Sequence, residues 1–149
     1  MQGASPTFAQ QRLICIALLV GMSFYAIVVA IVLKTNDGKG MAPEPLVILD
    51  TVVVAVGAAM AIGAFVLRSV LGGAAEKTAP EQRAMARFRA ALVPIVLLEG
   101  GCLFGVTVWM INGTPVPGLV VAMVLLAIAI VLVPFIVPTV LSAIAFWWI

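Results

Sequence analysis

Histidine is absent from the 149 residues, and only two cysteines occur. Without histidine, the commonest general base and the commonest metal ligand are missing, which removes most metal centres and the Ser/His and Cys/His catalytic arrangements. Cys15 and Cys102 fall in different apolar runs, and counted from one membrane face they differ in depth by roughly 15 Å of helical rise. A disulfide needs Cα atoms within about 7 Å, so both cysteines read as small apolar-like side chains. Charge is scarce too: 9% of residues are charged against 64% hydrophobic, with a mean hydropathy of +1.28. That leaves too little polar surface to cover a water-soluble globule, so an integral membrane protein is expected. The net charge of +2 is small. It is carried by connecting segments, which argues against a nucleic-acid partner.

What is present is a set of apolar runs. Crossing about 30 Å of hydrocarbon takes roughly 20 helical residues. Residues 13–33, 46–67, 90–111 and 118–138 each meet that length, predicting an all-α polytopic membrane protein with four transmembrane helices in two packed hairpins. The whole chain, 1–149, reads as a single transmembrane domain. Arg12 marks the first membrane edge, and Asn36-Asp37-Gly38 with two prolines makes a turn-rich connection after the first run. Asp50 lies near the start of the second run, where a first-turn acid complements the helix dipole. Residues 69–89 form the longest polar connection, basic in character. Within it Pro80-Glu81 looks like the start of a helix that continues into the third run. Pro134 and Pro138 predict a bend late in the fourth run. Phe146, Trp147 and Trp148 suit the headgroup region, as a short interfacial tail.

Positive charge sets the orientation. Arg12, Arg68, Lys77, Arg83, Arg87 and Arg89 fall on one side, and Lys34 and Lys39 on the other. The excess predicts both termini and the 69–89 connection in the cytoplasm, with the protein in the cytoplasmic (inner) membrane as a small bacterial-type four-span chain.

Small residues point to helix contacts. Ala55, Gly57, Ala59, Ala61 and Gly63 occupy alternate positions in the second run. On a helix, Ala55, Ala59 and Gly63 make one stripe and Gly57 with Ala61 another beside it. Gly101 and Gly105 make a third pair, in the third run. Such stripes let backbones approach closely, which favours helix association in lipid. Other membrane subunits or further copies of the chain are therefore expected partners, alongside the bilayer itself.

Glu99 is the one carboxylate deep inside an apolar run. An acid at that depth costs a few kcal/mol on the mildest insertion scales, which makes it a functional-site candidate. Such a carboxyl is tolerated as the neutral acid, hydrogen-bonded to a carbonyl or hydroxyl, and that is also what a reversible proton carrier requires. No Lys or Arg lies at its depth. Tyr25, Ser23 and Thr107 are the candidate polar neighbours within the chain. With no second titratable group near Glu99 in the membrane, neither an enzyme nor a bound cofactor is expected.

Glu99 followed by Phe104-Gly105-Val106 resembles the proton-binding helix of the proteolipid c subunits of rotary ATP synthases, where a mid-membrane carboxylate precedes an aromatic-Gly-aliphatic step. The alternating small residues of 55–63 are similar to the first helix of that hairpin, and the basic connection with Pro80-Glu81 to its polar loop. The resemblance covers about residues 50–112. It implies a proton-binding Glu99, helix-contact roles for the small residues, and a place in or beside an ion-translocating complex. The chain departs from the pattern in having alanines at most of the glycine positions, a longer connection and two additional runs. Small four-span multidrug exporters resemble it in size, but they carry their acid in the first helix, where Val20 stands here. The competing expectation is a structural or assembly protein in which Glu99 makes only an interhelical hydrogen bond.

Overall fold

A computed structural model of the chain describes residues 8–42 and 44–133. All regular structure among the described residues is helical: α1 (Phe8–Thr35), α2 (Val47–Glu76), α3 (Pro80–Asn112) and α4 (Gly118–Leu132). Three of them are long and apolar enough to cross a membrane: 23 residues of α1, 30 of α2 and 33 of α3. The described part of α4 has 15 residues and is shorter than a crossing requires. The expected fourth span therefore extends beyond the described residues, as do the bend at Pro134 and Pro138 and the tail 139–149.

The basic stretch 69–89 is mostly helix. Nothing between Arg68 and Glu76 breaks α2, since Gly72 and Gly73 are only weak helix formers and Ala74 and Ala75 are strong ones. The break comes at residues 77–79, where Pro80 takes the first turn of α3. Proline suits that position because its missing N–H would be unpaired there anyway. Arg87 pairs with Glu76 across the two stalks, at 3.0 Å. Both side chains are well exposed, so the pair adds little to stability.

Helix α3 is the hub, in contact with α1, α2 and α4, whereas no close approach of the α1 and α2 backbones occurs among the described residues. The packed pairs are thus α2 on α3 and α3 on α4, with α1 laid along another side of α3. This corrects the expectation of two packed hairpins: the first two helices are joined by a loop but do not associate. The buried side of α2 turns toward α3 and α4, where Gly57 meets Val121 and Gly63 meets Leu97. The core runs between the helices through Met22 and Val29, Ala64, Leu98, Cys102 and Val106, and Leu125 and Ala129.

Where α3 meets α4, glycines bring backbone against backbone. A Cβ added to Gly105 would lie 2.7 Å from the Gly118 carbonyl oxygen, and one on Gly118 would lie 2.6 Å from that of Gly105. A Cβ on Gly101 would meet both Met60 and Leu125 at 2.7 Å. At Gly105 and Gly118 the neighbours are backbone atoms that cannot move aside, whereas Met60 and Leu125 can shift their flexible ends from Gly101; such a tight seam favours a helix pair in lipid.

Candidate functional site

Ile95, Glu99, Cys102 and Val106 follow one another at three- and four-residue steps, so they share one side of α3. Ile95, Cys102 and Val106 are essentially fully buried. That side faces α1: Ile95 packs with Cys15, and Cys102 and Val106 belong to the cluster containing Met22. Glu99 stands in the middle of the buried file but is only half-buried itself. The reason is its place at the edge. Glu99, Leu103 and Thr107, spaced by four, drift around α3 toward its uncovered side and are all half-buried, while Val96 and Gly100 beside them are exposed. That uncovered side exists because α1 and α2 do not meet.

No hydrogen bond or ion pair of Glu99 is found among the described residues. Its three candidate neighbours are engaged elsewhere. Tyr25 Oη and Thr107 Oγ1 are 3.1 Å apart, and Thr107 Oγ1 donates to the Leu103 carbonyl at 2.8 Å. The single hydroxyl proton of Thr107 is thereby used, so Tyr25 is the donor in the pair. Ser23 donates to the Leu19 carbonyl of its own helix, at 3.0 Å. Thr107 lies eight residues from Glu99, about 12 Å of rise, so neither hydroxyl of the pair reaches the carboxylate directly.

The small residues divide by face. Gly57, Gly101 and Gly105 are buried in helix contacts, and Ala61 and Gly63 are half-buried against the core. Ala55 and Ala59 are exposed. The stripe of α2 that packs within the chain is thus the one through Gly57 and Ala61, continued by the fully buried Ala64.

Two polar features do not emerge from the sequence as sites. Asn112, 6% exposed, is the only buried polar or charged side chain among the described residues. Its Oδ1 accepts from the Leu46 N–H at 3.0 Å, and its Nδ2 donates to Asp50 Oδ1 at 2.8 Å and to the Leu46 carbonyl at 3.4 Å. It therefore fastens the end of α3 to the start of α2. Alongside, Met41 and Ala42 donate N–H groups to the carbonyls of Met110 and Ile111, satisfying two acceptors that the end of α3 leaves open. Gly113 closes the helix at φ 73°, with Gly40 packed against it. At the other end of the bundle, the Arg68 guanidinium donates to the Leu132 carbonyl in the last turn of α4. A cation suits a helix C-terminus. The signals in sequence were slight: an Asn before a Gly at a helix end, and an Arg at the margin of an apolar run.

Both cysteines are free and buried. No group of three or more His, Cys, Asp or Glu that could hold a metal occurs among the described residues. The fold thus defines an all-helical protein with the composition and helix lengths of a membrane protein. Comparison with protein-family models, curated proteins and solved structures finds no match for the chain.

Proposed function

We propose that this is a small integral membrane protein of four crossings, with both termini cytoplasmic, in which Glu99 reversibly binds a proton in the manner of a c-subunit carboxylate. It serves as a subunit or partner of an ion-translocating complex. The observation that carries this reading is the half-buried Glu99, set in a file of fully buried apolar residues with no hydrogen bond or ion pair among the described residues. An ionisable side chain set inside an apolar span marks a functional-site candidate. Its edge position leaves it open to exchange, which an acid sealed in a helix contact would lack.

The competing reading, an assembly protein whose Glu99 is an interhelical hydrogen bond, needs an acceptor or donor from α1, α2 or α4, and none is found among their described residues. Labelling with a hydrophobic carbodiimide separates the two. Modification at Glu99 that slows as the pH is raised from about 5 to about 9 supports the proton-binding reading, because the reagent attacks the protonated acid. Inertness across that range overturns it.

A further inference from the structure

The side of α3 left uncovered between α1 and α2 is apolar along its length and cationic at its mouth. Arg89, Val93, Val96 and Gly100 follow one another at steps of four and three, so they form one file on the helix. All four are exposed. The file runs between the Tyr25–Thr107 contact with α1 and the Leu97–Gly63 contact with α2. Arg89 stands where the apolar run begins, and Gly100 lies roughly 16 Å of rise further in. That matches the hydrocarbon depth of one leaflet, about 15 Å. On the α2 flank, Gly63, Val66, Val70 and Lys77 carry the Leu97 contact side outward at helical steps. Because Gly63 lies level with Leu97 and Met60 with Gly101, the two helices are antiparallel. Lys77 therefore sits roughly 8 Å beyond Arg89, about the thickness of the headgroup layer.

We infer that this face binds an anionic phospholipid of the leaflet on the Arg89 side, its phosphate held by Arg89 and Lys77 and one acyl chain laid along Val93, Val96 and Gly100. The other cations nearby are engaged: Arg68 with the Leu132 carbonyl and Arg87 with Glu76. No hydrogen bond or ion pair of the Arg89 or Lys77 side chain is found among the described residues. A phosphate oxyanion answers both charges, and the planar guanidinium of Arg89 suits its paired oxygens. A second copy of the chain is a poorer complement. Its acids on this side are Glu76, already paired, and Glu81, roughly 12 Å of rise beyond Arg89, so none is free at the depth of the guanidinium. Residues 134–149 carry no acidic side chain at all. The inference rests on the membrane placement in the proposed function and not on the proton at Glu99.

Photolabelling tests this in the full chain reconstituted in phosphatidylcholine liposomes. The probe is a small fraction of phosphatidylglycerol or phosphatidylcholine with a diazirine midway along one acyl chain, and labelled residues are mapped by mass spectrometry. Phosphatidylglycerol should label residues 93–100 at least about fivefold more than phosphatidylcholine does, the scale of one cation acting on an anionic headgroup. The segment around Ile62, which is exposed on α2, should take up both lipids equally. Arg89→Gln with Lys77→Gln should lower phosphatidylglycerol labelling at 93–100 by about tenfold and leave that at Ile62 unchanged, which also shows that the variant is inserted. Arg89→Lys, with the charge kept, should retain most of it. Equal labelling of 93–100 by the two lipids overturns the inference, as for an ordinary lipid annulus. So does labelling that survives loss of both cations, or a face that neither lipid reaches because a second copy or residues 134–149 cover it. Flotation of the protein with the liposomes separates the two failures. A chain that floats without selective labelling defeats the lipid site alone, whereas one that does not float defeats the membrane placement as well.

Discussion

Removing the side-chain amide of Asn112 takes three hydrogen bonds away at once and leaves the Leu46 N–H and Asp50 without that partner. Asn112→Ala is therefore expected to destabilise the fold by about 2 kcal/mol, the scale set by buried hydrogen bonds left unmade. Thermal unfolding in detergent checks this. Asp50→Asn, which keeps an acceptor for the Asn112 amide, should cost less than Asn112→Ala. Arg68→Gln removes the charged donor to Leu132 and should lower stability by about 1 kcal/mol in the same measurement. At this scale the sequence was least informative. Glu99 stood out because nothing else ionisable lies so deep. Asn112 did not, because its role depends on the loop and on α2 coming back to meet it.

Between helices, the glycines give a graded test. Gly105→Ala forces a methyl group against the Gly118 carbonyl, a backbone atom that cannot rotate away. It should cost about 1–3 kcal/mol by overpacking. Gly100→Ala, which meets nothing, should stay within about 0.5 kcal/mol of the parent protein. Equal effects at the two positions would contradict the arrangement of α3 on α4. Two stripes of small residues in α2 were visible from their spacing, but which one packs was not. Ala55, Ala59 and Gly63 look no different from Gly57 and Ala61 until the partner helices are in place, since Ala and Gly carry little information about direction. Helix lengths followed the hydropathy closely up to Arg68. Beyond it the charged residues of α2 and α3 suggested a connection, whereas an uninterrupted series of helix-compatible residues continued the helices to Glu76 and from Pro80.

For the whole molecule, the apolar runs revealed helices long and apolar enough to cross a membrane among the described residues, because hydrophobic length is a property that packing cannot alter. How the runs pair was not readable in the same way. Sequential helices usually associate, and here α1 bypasses α2 to lie on α3. That arrangement is what leaves one side of α3 open and places Glu99 at its margin. The most direct test of a reversible proton on that residue is infrared difference spectroscopy of the reconstituted protein during a pH titration, compared with Glu99→Gln. A carboxylic-acid C=O band that disappears as the pH is raised, returns when it is lowered and is missing from Glu99→Gln is the expected result. A spectrum that does not change with pH, or a band that persists unaltered in Glu99→Gln, would contradict proton binding at this site.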